Sequence, residues 1–174
     1  MTTTPPLRLN RWTTWRLSAP AWQQTLFESV MLVVFVSVLG WVLVAAHLDV
    51  LLSVHRLHKA RSFSSELIYG VLIAPLLEEA LFRGFPIALM RWARAQHYTW
   101  VIGTLSSVGF ALMHTSGSGF HFPLIQFLFG LTAWRMATRR GLRHSIFLHF
   151  FNNLSFMLLI PVALVVVHSW LSGF

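Results

Sequence analysis

The chain has 174 residues, of which 56% are hydrophobic and only 10% charged, against about 25% charged in soluble domains; this excludes a disordered chain and argues against a soluble one. The absence of cysteine excludes disulfides, thiolate metal sites and a cysteine nucleophile. Thirteen Lys and Arg against five acids give a net charge of +8, which in so apolar a chain points to basic loops beside anionic headgroups and not to nucleic acid.

The first 24 residues carry Arg8, Arg11, Arg16, Trp12, Trp15 and Trp22, a pattern suited to the headgroup layer. Next comes an uncharged run from Ser29 to Leu48. It is long for the apolar region of a signal peptide, although Val44-Ala45-Ala46 resembles a cleavage site, and it reads as an anchor. A second apolar segment runs over about 67–90 and a short third over about 99–114. The fourth covers about 120–136, and the last begins near Ser145 and stays uncharged to the C-terminus, with Pro161 as a break. The reading is all-α: a polytopic transmembrane helix bundle of about five to six spans.

The expected divisions are an interfacial arm over 1–24, an N-terminal transmembrane anchor over 25–52 and a basic loop over 53–66. A helix core over 67–160 and an apolar C-terminal segment over 161–174 follow. If the spans alternate, nine basic residues fall on one side and three, Arg56, Lys59 and Arg61, on the other. The positive-inside rule then places the N-terminus in the cytoplasm, as for a protein of a bacterial inner membrane.

Chemistry concentrates in three places. In APLLEEALFRGF, Ala74 to Phe85, Glu79 and Arg83 are four apart and share a helix face, whereas Glu78 projects to a neighbouring face. Ionised groups in hydrocarbon are costly and face the bundle interior. Two adjacent carboxylates in low dielectric push their proton affinities apart, leaving one to serve as a base. A Glu–Arg pair that merely locks two helices fits the same residues. His114 closes the third segment in FALMH, and HFFNN places His149 and Asn153 four apart on one face. Helix rise sets Glu78 roughly 18 Å from Arg91 along the axis, and tilt lets the three groups converge. The remaining histidines, including His97 and His144, read as interfacial, and Ser116–Gly119 as a tight turn.

Glu78-Glu79-Ala80-Leu81-Phe82-Arg83, Phe110-Ala111-Leu112-Met113-His114 and His149-Phe150-Phe151-Asn152-Asn153 match, in order, EExxxR, FxxxH and HxxxN. The chain thereby resembles the CPBP intramembrane proteases, also called the Abi or type II CAAX endopeptidase family, over about 67–156. The resemblance implies hydrolysis of a peptide bond in or beside the membrane. Glu78 with His114 would activate a water, His149 would assist, Asn153 would hydrogen-bond the developing oxyanion, and Glu79 with Arg83 would orient the site. Two histidines and two carboxylates can hold a divalent metal such as zinc, and the same set can act without one; both stay open. The expected partners are the lipid bilayer and a membrane-associated peptide: a prenylated C-terminus, a leader or bacteriocin peptide, or a C-terminal sorting tail. A catalytically silent adaptor of the same fold, or a small transporter with an acid–histidine relay, are the other classes weighed. The latter expects inverted repeats or broken helices, neither of which is evident.

Overall fold

The computed structural model describes residues 19–45, 63–115 and 122–159. Most of the interfacial arm, the basic loop up to residue 62, the Ser116–Gly119 turn and the C-terminal segment with Pro161 lie outside the described residues. Among the described residues the fold is all-helical, as expected. Helix α1 is Ala21–Ala45 and α2 is a continuous helical rod over residues 63–92. A short 3-10 turn, Gln96–Tyr98, leads into α3, Thr99–Leu112. Helices α4, Leu124–Arg140, and α5, Leu142–Leu154, follow, and α5 continues as a π-helical turn, Ser155–Leu159.

Among the described residues one helix, α1 over Ala21–Gly40, is long and apolar enough by length and composition to cross a membrane. It starts just after Pro20, a few residues ahead of the expected boundary at 25. Its inward stripe of Thr25, Ser29, Leu32, Val36 and Leu43 is buried, whereas Val30, Val34, Val38 and Val42 on the other side are exposed. Apart from Glu28 both faces are uncharged, and the two hydroxyls bond their own helix: Thr25 to Ala21 O at 2.8 Å and Ser29 to Thr25 O at 2.8 Å. At its N-terminal end α1 is tied to the α4–α5 corner. Arg140 donates to Gln24 Oε1 at 3.0 Å and to Glu28 Oε1 at 2.8 Å, and His144 Nδ1 lies 2.9 Å from Thr25 Oγ1. His144, read from sequence as interfacial, is buried in this latch, so α1 packs as part of the bundle.

Helix α2 alternates between α and π geometry, with π segments at Ile68–Ile73 and Ala80–Gly84. Each segment is followed within two residues by a proline, Pro75 and Pro86. Proline has no N–H and crowds the preceding turn, and a π turn absorbs that misfit. In the first segment Ala74 N–H bonds Tyr69 O, the i→i−5 register. The next bond in that register would run from residue 75 to Gly70 O, and Pro75 cannot make it. Asn153 Nδ2 of α5 donates to Gly70 O instead, at 2.8 Å. Ser106 Oγ of α3 likewise donates to Phe82 O, four residues before Pro86. The carbonyl left open by Pro75 is thus closed by a side chain of a neighbouring helix.

Helices α3 and α4 pack closely through small residues. A Cβ at Gly130 would sit 2.9 Å from Ser107 Cβ and 3.1 Å from its Cα. Gly141, at φ +100°, makes the sharp turn from α4 to α5, a backbone conformation that favours glycine. The main apolar cluster joins Leu32 and Val36 of α1 with Phe110 of α3, Phe129, Ala133 and Met136 of α4, and Leu148 of α5. A second cluster, Ile87, Met90, Trp134 and Ala137, fastens the C-terminal part of α2 to α4. The polar site lies between α2, α3 and α5 against the first cluster.

Candidate active site

Glu79 is fully buried and is the hub of the site. Arg83, one turn on and also buried, sets Nη1 3.2 Å from Glu79 Oε1. From α5, His149 Nδ1 lies 3.0 Å from the same oxygen, and Ser145 Oγ donates to Oε2. A carboxylate only accepts, so Nδ1 of His149 carries the proton and Nε2 points away from Glu79. The i,i+4 reading of Glu79 and Arg83 therefore holds, despite the π segment that begins at Ala80.

Arg83 is held on three sides. Its Nη2 donates to Gly130 O at 3.4 Å, and its guanidinium carbon sits 4.5 Å from the centre of the Phe110 ring. Nε and Nη1 make no well-aligned hydrogen bond, so the charge of Glu79 and the aromatic face supply the hold. Phe110 and Phe129 also pack on His149, at ring-centre distances of 5.7 and 4.7 Å. The FxxxH phenylalanine thus walls both the arginine and the histidine.

Glu78 faces a different environment, with its side chain about one-quarter exposed. Its Oε2 lies 3.6 Å from His149 Nε2 and 3.9 Å from His114 Nε2. His114 donates from Nδ1 to Phe110 O at 2.8 Å, which turns its Nε2 toward Glu78. Three polar atoms from α2, α5 and the end of α3 thus converge at separations longer than a direct hydrogen bond and within the span of one bridging water. Among the described residues no group of three or more metal-binding side chains is placed to hold a metal ion.

The structure brings Glu78, Glu79, Arg83, His114 and His149 into one cluster. Asn153 lies one turn beyond His149 and spends an N–H on Gly70 O, so it fastens α5 to α2. Ser145 was missed in the sequence. The available signal was the stripe Ser145, His149, Asn153 at four-residue spacing on one face of an apolar helix.

A family model described as type II CAAX prenyl endopeptidase Rce1-like matches residues 60–155, which takes in all seven motif residues and Ser145. No curated protein and no solved structure matches the chain. The chain belongs to the Rce1-like type II CAAX prenyl endopeptidase family, a membrane-integral family of proteases.

Proposed function

We propose that this protein is an intramembrane endopeptidase that hydrolyses a peptide bond in a membrane-associated substrate, with Glu78 as the base. A CAAX-type prenylated C-terminus is the first candidate, ahead of a leader, bacteriocin or sorting peptide. The observation that carries the reading is the division of labour between adjacent acids. Glu79 is saturated by Arg83, His149 and Ser145, whereas Glu78 keeps an oxygen facing two histidine nitrogens at 3.6 and 3.9 Å, beyond direct hydrogen bonds.

In the proposed reaction a water held by Glu78 and His114 attacks the scissile carbonyl carbon. Its proton passes to the Glu78 carboxylate as the new C–O bond forms, and the carbonyl electrons move onto oxygen. The second N–H of Asn153 serves the oxyanion, and Nε2 of His149, aimed by Glu79, faces the water. When the C–N bond breaks, Glu78 returns the proton to the leaving nitrogen. Burial of Glu79 and Arg83 fixes this frame in advance of substrate.

The bundle's exterior supports a polytopic membrane setting. Ile68, Leu72, Leu76, Leu81 and Phe85 of α2, and Trp100, Val101 and Leu105 of α3, are exposed, while charged Glu79 and Arg83 lie inside. Soluble monomers rarely expose so much contiguous apolar surface, and intramembrane charges turn inward. The test is cleavage of membrane-bound peptides by the purified protein, comparing wild type with Glu78→Gln. Loss of cleavage in a folded variant supports the assignment, and wild-type cleavage by that variant overturns it.

A further inference from the structure

A cavity lies away from the Glu78 site, at the basic end of the bundle. Its volume is about 400 Å³, and it opens between the C-terminal end of α2, the start of α3 and the last turns of α4. Arg91, Arg135 and Arg139 line it together with Thr99, Trp100 and Trp134, and no carboxylate does. All three arginines are exposed, and among the described residues none is in an ion pair. The nearby acid, Glu28, is engaged by Arg140, and Glu78 and Glu79 belong to the active site.

Three guanidiniums held around one concavity repel one another unless an anion joins them. Thr99 and Trp100 are the first two residues of α3, so the positive end of that helix adds to the same field. The walls are apolar and aromatic: Trp134 is buried under the floor and Trp100 is exposed at the rim. Tryptophan at a rim of this kind suits the headgroup level of a bilayer. Arginine's planar fork matches phosphate oxygens.

We infer that this cavity binds a phosphate ester, and that in the membrane the ester is the headgroup of an anionic phospholipid. The inference rests on the membrane-embedded reading and not on the catalytic one, since no residue of the cavity belongs to the cleavage site. The bound headgroup would pin the α2–α3 connection to α4 beneath the active-site bundle.

The test is lipid binding by the full chain in detergent, read by native mass spectrometry. The probes are phosphatidylglycerol, zwitterionic phosphatidylcholine and inorganic phosphate as competitor. Phosphatidylglycerol is expected to be retained in preference to phosphatidylcholine. Arg135→Gln and Arg139→Gln should each weaken its binding roughly fivefold. Arg94→Gln and Arg143→Gln, basic residues of the same end that do not line the cavity, should leave it unchanged. Competition by inorganic phosphate at equal concentration would assign the site to a free phosphate and overturn the lipid assignment. Equal retention of the two lipids, or equal weakening by the control pair, would overturn the site itself. Because cleavage is not the readout, these outcomes are distinct from failure of the Glu78 assignment.

Discussion

Glu79 and His149 meet through a 3.0 Å contact between Oε1 and Nδ1, although they stand 70 positions apart in the chain. That contact separates the roles of two adjacent acids. It ties Glu79 to α5 and to the ring whose other nitrogen faces Glu78 at 3.6 Å. On the proposed reading, one acid builds the frame and the other is left for chemistry.

Glu79→Gln should therefore be a stability variant first. It leaves Arg83 buried without its counter-charge, which costs on the order of 3–5 kcal/mol. Because Arg83 and Glu79 touch, the loss in the Glu79→Gln, Arg83→Met double variant should be smaller than the sum of the single losses. Unfolding in detergent checks both, and a single-variant loss under about 1 kcal/mol would contradict the buried-pair assignment.

Ser145→Ala removes a hydroxyl that donates to the buried Glu79 carboxylate. A hydrogen bond to a charged group contributes about 1.5–3 kcal/mol, so stability falls by that order. If Ser145 also aims His149 through Glu79, kcat should drop more than KM rises, and Ser145→Thr should restore part of it. A rise in KM alone would leave Ser145 with packing only.

The link between Asn153 and Pro75 can be measured as a coupling. Asn153→Ala opens Gly70 O, costing about 1–2 kcal/mol in the wild-type background. In Pro75→Ala the backbone regains an N–H, and the same change should cost less. A double-mutant cycle reads the difference, and strict additivity would show that the amide does not replace the missing donor.

Burial, then the charges of Arg143 and Arg140, hold His144 below the ordinary histidine value of 6.5. His144 sits at the start of α5, outside the apolar run that begins near Ser145. As pH falls, the unfolded chain takes up this proton before the folded one. The stability associated with neutral His144 is thus present above 6.5 and is lost progressively below it. Unfolding midpoints between about pH 8 and pH 5 should fall with pH, and less steeply in His144→Gln. A midpoint that holds steady or rises with acid would contradict the buried, neutral histidine.

Much of the site was legible in the sequence because charge in an apolar run is costly and must find partners. Glu79 and Arg83 were paired from spacing alone, and the histidines were brought in by motif order. Ser145 escaped because a hydroxyl carries no such cost and looks like any small residue in an apolar helix. The π segments escaped because they are set by Pro75 and Pro86 together with donors on other helices, Asn153 and Ser106. The burial of His144 escaped for the same reason: it depends on Thr25, more than a hundred residues away. Helical content was clear from composition, whereas the number of spans depends partly on residues outside those described.

The most direct measurement compares Glu78→Gln with wild type in proteoliposomes presenting a farnesylated CAAX peptide, a leader peptide and a C-terminal sorting peptide. Wild type should cleave at least one of them. Glu78→Gln should cleave that peptide about a hundred- to ten-thousandfold more slowly, with its unfolding midpoint nearly unchanged because Glu78 is partly exposed and its histidine contacts are longer than direct hydrogen bonds. A Glu78→Gln protein that cleaves at the wild-type rate would contradict the assignment of Glu78 as the base.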